Sequence, residues 1–477
     1  MIYKLMDDIH RELNTAKDSE ELANKITQAI AGASKGIKDD KIYIKGEINL
    51  LLSRKFRARV EGNKLDEVIE SYHINYFEPL YDDTLDSEKI KADLDKLTIK
   101  KESHRHVKQE KLVQIIYQEL YGLSVIDELL DLSDGINEVA CNNENYIWIQ
   151  AYGLKRWLPK LRMRSREQLI EVINKATSFG ALTDLNDETP QILCETADGT
   201  RVTALRPPYS KEFTLNLRVQ RGGFKSKEFL IETGSSSEEV EQFMDYSIAG
   251  KANILVIGDQ GTGKTNYLLR LMGSYPENTA IGLIESMFEL NPDAYFEHIN
   301  VIKLQNTKNR DAHEMLKTSM RTNRDIIVCG EVRSGEEAVV TLQAMLRQGK
   351  GSLGSFHSVS ARDALYDFRN LLMQTGLYSS ENIAMFDVAR GIDLIVHLNL
   401  NRATGHRYVN EVVEVQPEVG GEYYKINSIF KYNRETEQLE KVGIPTDKYI
   451  EDLYEFGASI EVRDGIRNMF EQGSLGV

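Results

Sequence analysis

Beyond residue 250, short apolar runs recur between longer amphipathic stretches: "NILVIG", "AIGLIE", "VIKLQ", "IIVCGE", "SLGSF" and "DLIVHLNL". Runs that are apolar at nearly every position are what strands buried on both faces of a sheet look like, and the helix-length pieces between them predict an α/β core. From about residue 112 to 222 the pattern changes to short apolar runs with turn signals. Alternation in "NYIWIQ" suits a hairpin strand, and "DGTRVTALRPP" follows a D-G turn, so a mixed α/β domain is expected there. The first 80 or so residues carry a helical period and no identifiable chemistry. They are followed by "DDTLDSEKIKADLDKLTIKKESHRHVKQEK", whose charge density and lack of aromatics read as a solvated helix or linker. A second linker, "GGFKSKEFLIETGSSSEEVEQF", contains Gly222, Gly223, Ser235, Ser236 and Ser237. Ser237 followed by Glu238 and Glu239 suits the capped start of a helix. The expected organisation is an accessory helical segment and charged linker over 1–100, a smaller mixed α/β domain over 101–230, a nucleotide-binding α/β domain over 231–440 and a tail over 441–477.

Composition narrows what such a chain does. A length of 477 residues exceeds what one core usually organises. The hydrophobic share of 41% and charged share of 28% are those of an ordinary well-packed protein. A formal charge of −15 argues against a surface built mainly to hold phosphate backbones, so no direct nucleic-acid partner is expected. Cys141, Cys194 and Cys329 are widely spaced, form no CxxC pair and read as reduced, mostly buried thiols. The opening "MIYKLMDDIHRELN" places acids where a signal peptide needs an apolar core, and no stretch approaches 18 apolar residues. A cytoplasmic protein is expected, one able to dock on a membrane protein.

The strongest chemical signal is "GDQGTGKT" at 258–265. Gly258, Gly261, Gly263, Lys264 and Thr265, with Thr262 between the last two glycines, satisfy the G-x-x-x-x-G-K-[ST] phosphate loop. An apolar run precedes it, and Leu268, Leu271 and Met272 give the following segment a helical apolar face. Glycines let backbone N–H groups converge on phosphates, and the new helix directs its positive end at them. Lys264 would reach the β- and γ-phosphates of ATP, and Thr265 would ligate Mg²⁺. Glu331 ends "IIVCGE", at the sheet edge where ligands of α/β sheets bind, and could orient or deprotonate an attacking water or hold Mg²⁺ through water. Glu285 and Glu289 in "GLIESMFEL" make sense beside a triphosphate only if one faces metal or water, since two unpaired carboxylates would repel the nucleotide. His357 ends a strand-like piece, and Ser360 with Asp363 resembles a capping box for the next helix.

In this order the motifs resemble the secretion-system traffic ATPases of the type II and type IV class, closest to the tight-adherence pilus and conjugation branch. The resemblance runs from about residue 112 to 433 through "YGLSVIDELL", "DGTRVTALRPP", the phosphate loop, "IESMFEL", "IIVCGEVRSGEEAVVTLQAM", "GSLGSFHS" and "GHRYVNEVVEV". It implies an N-terminal domain joined by a flexible linker to a RecA-like ATPase domain, six copies to a ring, and an inner-membrane platform protein as partner. It implies that Glu331 takes an atypical Walker B role, His357 a His-box role, and Glu285 with Glu289 an acidic-box role. Arg201 in "DGTRV" and Arg218 in "LNLR" match N-terminal-domain arginines that reach the nucleotide phosphates as the domains close. The family usually has Asp after the first Glu of the acidic box, where this chain has Ser286. The function so implied is an ATP-hydrolysing motor for pilus assembly or for protein or DNA secretion, peripheral to the inner face of the membrane. A RecA-type nucleic-acid motor and a non-hydrolysing nucleotide-dependent scaffold stand as alternatives.

Overall fold

The computed structural model describes residues 1–15, 20–132, 135–181, 183–219, 223–286, 288–297, 299–305, 312–347 and 350–471. Gly222 of the expected linker and the last six positions of the expected tail lie outside the described residues. The chain divides into two compact units, 1–223 and 224–477.

The first unit opens with helices α1 (Ile2–Thr15), α2 (Glu20–Ser34), α3 (Lys38–Arg54), α4 (Lys64–Glu70), α5 (Glu88–Asp95), α6 (Arg105–Leu120) and α7 (Val125–Leu132). In α1 the buried set Ile2, Leu5, Met6, Ile9 and Leu13 keeps the i, i+3, i+4, i+7 spacing of an amphipathic helix. Strands β1 (Ile136–Asn143), β2 (Tyr146–Ala151) and β3 (Leu154–Trp157) follow, then helix α8 (Arg166–Thr177) and strands β4 (Gln191–Glu195), β5 (Arg201–Leu205) and β6 (Thr214–Arg218). They form one sheet in the order β3-β2-β1-β6-β5-β4. Every pairing in it is antiparallel. Burial alternates along β2, with Ile147 and Ile149 inside and Tyr146 and Trp148 outside, as a sheet covered on one face requires.

The boundary expected near residue 100 does not separate two cores. Leu52, Leu94 and Ile116 share one apolar cluster with Ile149 and Val202 of the sheet. The charged stretch read as a linker contributes α5 and the first half of α6, where Asp93 and Lys111 are buried. Lys111 forms a buried ion pair with Glu128, so its charge is neutralised inside the unit instead of by solvent.

The second unit contains α9 (Lys227–Glu232), α10 (Glu238–Ala249), β7 (Ile254–Ile257), α11 (Lys264–Met272), β8 (Ala280–Glu285), β9 (Asn300–Gln305), α12 (Ala312–Arg321), β10 (Ile326–Val332), α13 (Gly335–Arg347), β11 (Leu353–Phe356), α14 (Ala361–Gln374), α15 (Glu381–Gly391) and β12 (Leu394–Leu400). It closes with β13 (Arg407–Pro417), β14 (Tyr424–Asn433), β15 (Gln438–Lys441), α16 (Asp447–Glu455) and α17 (Ile460–Glu471). The nine strands run β15-β14-β13-β12-β7-β11-β10-β8-β9. The six from β12 to β9 pair in parallel, and β13 to β15 add an antiparallel meander. This is the RecA-like P-loop architecture. Both faces of the sheet are covered, which is why every residue of β7 and β8 is buried and all but the terminal Glu285 are uncharged and non-polar.

Two helix starts follow the sequence signals. Ser237 Oγ accepts from Val240 N–H at 3.3 Å, and Ser360 Oγ from Asp363 N–H at 3.1 Å. The region beyond 440 is no detached tail: Phe470 and Tyr449 pack on Phe243 of α10, and Tyr449 Oη bonds Ser247 Oγ at 2.8 Å. Among the described residues, no helix is long and apolar enough to cross a membrane.

Candidate active site

The centre of the second unit's sheet delivers its chemistry at the C-terminal ends of neighbouring parallel strands. After β7 the chain turns through Gly258, Gly261 and Gly263, with φ of 153°, 80° and 98°. Side chains disfavour such angles. Space is a second reason at Gly258, where a Cβ would lie 2.5 Å from the Leu398 carbonyl oxygen and 2.6 Å from Thr262 Oγ1. Thr262 Oγ1 closes the loop by donating to the Asp259 carbonyl at 2.8 Å. Helix α11 then starts at Lys264, so its first N–H groups lack intrahelical partners at the loop. Lys264 is buried and folds back over the loop, its Nζ donating to the carbonyls of Gly258 at 2.9 Å and Asp259 at 3.1 Å.

Glu331 is the penultimate residue of β10 and sits on a bulge. Cys329 pairs with Gly354 and Val332 with Phe356, so two residues of β10 oppose the single Ser355 of β11. Ser355 Oγ pins the bulge by donating to the Gly330 carbonyl at 2.6 Å. The extra residue re-aims the Glu331 carboxylate toward His357, whose Nε2 lies 2.8 Å from Glu331 Oε1. On the other side of the imidazole, Nδ1 lies 3.2 Å from Lys264 Nζ. The neutral tautomer with its proton on Nε2 satisfies both contacts, accepting from the ammonium and donating to the carboxylate. Arg333 also pairs with Glu331, and the same nitrogen lies 3.6 Å from Glu289 Oε1. Thr265 Oγ1 donates to the second oxygen of Glu289 at 3.3 Å. A continuous chain of contacts therefore runs Lys264, His357, Glu331, Arg333, Glu289, Thr265. Burial alone would raise the Glu331 pKa, but the His357 hydrogen bond, with the charges of Arg333 and Lys264, pulls it down to about 2.

The two acids of "IESMFEL" separate in role. Glu285 ends β8 and is buried, and its Oε1 accepts from the backbone N–H groups of Glu289 and Leu290, each at 3.0 Å. It shapes the loop that carries Glu289 instead of facing Thr265 itself. Gly330 makes this possible, because a Cβ there would come within 2.8 Å of Glu285 Cγ. At Ser286 the backbone carbonyl accepts from the Gln305 side chain at 3.5 Å.

Arg201 and Arg218 belong to the first unit, paired across β5 and β6. Arg201 Nε lies 3.9 Å from Glu195 Oε1. Two basic residues beside the phosphate loop were not singled out from sequence. Arg407, first residue of β13, donates through Nε to the Gly261 carbonyl at 2.7 Å, and Arg402 pairs with Asp259 at 2.6 Å. Their only signal was membership of "GHRYVNEVVEV" and the turn before it, since antiparallel addition of β13 beside β12 is not encoded locally. Arg333 lies inside this chain's own carboxylate cluster. Arg324 donates to the Thr322 carbonyl at 2.8 Å and to Asn300 Oδ1 at 3.0 Å.

A nucleotide fits this residue set. The glycine cradle, the Lys264 amine and the start of α11 all lie within residues 258–265, as a triphosphate site requires. Among the described residues no group of three or more His, Cys, Asp or Glu could hold a metal by itself. Mg²⁺ held mainly by phosphates and water needs only one or two protein ligands, and the Thr265 hydroxyl beside Glu289 supplies that kind of corner.

Fold and site together define a P-loop nucleotide-binding protein. Residues 119–414, more than half of the chain, match the family described as type II/IV secretion system protein. The chain belongs to that family of secretion ATPases. It is 24% identical over 329 residues to a protein designated for conjugal transfer in Mycobacterium tuberculosis, covering 65% of this chain and 88% of that one. It is 28% identical over 218 residues to the type IV secretion system protein PtlH of Bordetella pertussis, covering 40% of this chain and 64% of that one. Among solved structures, the ATPase DotB of Legionella pneumophila aligns with 73% of this chain and 87% of its own, at 15% identity and a TM-score of 0.42.

Proposed function

We propose that this protein is an ATP-hydrolysing motor of a type IV secretion, conjugation or tight-adherence pilus system, working as a homohexamer on an inner-membrane platform protein from the cytoplasmic side. The observation that carries the reading is the unbroken chain of contacts from the phosphate-loop lysine through His357 and Glu331 to Glu289 and Thr265. The chain connects residues suited to holding phosphate or Mg²⁺, Lys264 and Thr265, to one suited to handling water, Glu331. In this reading Gly258, Gly261, Thr262 and Gly263 wrap the phosphates of ATP, and Lys264 exchanges its carbonyl partners for β- and γ-phosphate oxygens. Thr265, hydrogen-bonded to Glu289, would hold Mg²⁺. Mg²⁺ would neutralise charge on the β- and γ-oxygens. Glu331, ionised throughout the physiological range, orients the attacking water, and His357 couples its carboxylate to the occupancy of the phosphate site. Glu285 holds the Glu289 loop. Arg201 and Arg218 reach the phosphates in the closed state only, which supplies the unequal binding that a conformational motor needs.

Phosphate release by purified protein tests this. Lys264→Ala should weaken triphosphate binding and abolish turnover, whereas Glu331→Gln should retain binding and lose about two orders of magnitude in turnover or more. Nearly wild-type hydrolysis by Glu331→Gln would remove that residue from the centre of the mechanism. Absence of hydrolysis in the wild-type protein would leave a nucleotide-dependent scaffold.

A further inference from the structure

The segment before residue 100 lies outside the family match, yet it touches the hairpin that presents Arg201. The turn between α2 and α3 meets the turn between β4 and β5: the Lys35 carbonyl accepts from Ala197 N–H at 3.1 Å. Gly36 takes φ 94°, and a Cβ there would stand 3.7 Å from the Asp198 carboxyl carbon, so the two turns sit in van der Waals register. Asp198 in turn shapes its own hairpin by accepting from Thr200 N–H at 3.2 Å and from the Thr196 hydroxyl. One residue later the strand begins with Arg201.

A second contact fixes the same corner. Lys41, on the first turn of α3, is largely buried and pairs with the buried Asp127 of α7 at 3.5 Å. The cleft that holds this pair is lined also by Asp131 from α7 and by Asp198 and Thr200 from the hairpin. One ammonium thus faces carboxylates from two elements, α7 and the β4–β5 turn. Carboxylates brought together in this way repel unless a cation stays between them. Removing the cation leaves a buried charge uncompensated and frees the hairpin turn to move away from it.

We propose that the α2–α3 turn is a clamp on the Thr196–Thr200 turn, with Lys41 a positioning residue that sets where Arg201 stands. The inference rests on the reading of Arg201 as a phosphate-contacting arginine. It assigns the accessory helices a part in turnover, beyond packing.

The test compares wild type, Lys41→Met, Lys41→Arg, Arg201→Ala and the Lys41→Met/Arg201→Ala double variant by steady-state phosphate release. Binding of a fluorescent ATP analogue and amide hydrogen exchange over 195–201 are measured alongside. Lys41→Met should lower kcat about fivefold or more while analogue binding stays within about twofold, and exchange should accelerate in the hairpin turn. Lys41→Arg should restore both. In the double variant the two losses in kcat should not multiply, because Lys41 acts through Arg201. Multiplying losses, or a Lys41→Met variant with wild-type kcat and unchanged exchange beside an impaired Arg201→Ala, would overturn the clamp alone. Wild-type kcat in Arg201→Ala would overturn the role of Arg201 and the clamp with it.

Discussion

Glu331 and Glu289 are two carboxylates made to share one site, and Arg333 is the cation that makes this tolerable. Removing it sets like charges against each other and removes one of the influences that lower the Glu331 pKa. Arg333→Ala should therefore lower kcat about tenfold with triphosphate binding retained. An Arg333→Ala enzyme with normal turnover, measured by phosphate release, would show that the pair needs no such bridge. The same balance gives a signed pH effect. Glu331 moves from an ordinary value of 4.5 to about 2 in the folded protein. Its ionised form thus contributes stability that is fully present above the ordinary value and is lost as pH falls toward about 2. The His357 hydrogen bond is the largest influence holding it down, ahead of Arg333. In His357→Ala the acid limb of the kcat profile should move to higher pH, and further than in Arg333→Ala. A limb unchanged in both variants would mean that another group limits the rate at low pH.

Elements carry their own consequences. The bulge in β10 needs Gly330, since any side chain there meets Glu285. Gly330→Ala should destabilise the second unit by about 1–3 kcal/mol through overpacking and should displace the Glu289 loop. Calorimetry together with phosphate release would expose a variant that is stable and fully active, which the geometry does not allow. This bulge also marks where the sequence stopped being readable. Each of the apolar runs beyond residue 250 became a strand, because burial on both faces leaves little room for another pattern. The phosphate loop was equally plain, since glycine spacing, lysine and hydroxyl lie within eight residues. Arg407 was invisible: what makes it a neighbour of Gly261 is the placement of β13 beside β12, a contact 146 residues apart in the chain. The split between Glu285 and Glu289 was hidden for a similar reason. Spacing alone does not tell the two acids apart, whereas in the fold Glu285 accepts from the backbone amides of Glu289 and Leu290. The charged stretch that runs through α5 into α6 misled in the opposite direction, because Lys111 finds its counter-charge on α7 and not in solvent.

At the scale of the whole molecule, the reading requires parts of the chain to move against each other while six copies stay together. Sedimentation with a non-hydrolysable ATP analogue should show a six-membered species, and a strict monomer at high protein concentration would defeat the ring. Arg218→Ala should leave analogue binding largely intact, lower kcat and shrink the ATP-dependent change in distance between probes placed on the two units. All three native cysteines are buried, and burial pushes the Cys141 and Cys329 thiols up to about 12 and Cys194 to about 11. Near neutral pH almost none of their sulfur is thiolate, the form that attacks alkylating reagents. Maleimide dyes should therefore pass over the wild-type chain and react with cysteines introduced at exposed positions. The chain comes ready for site-specific fluorophore pairs without first being stripped of its own sulfur.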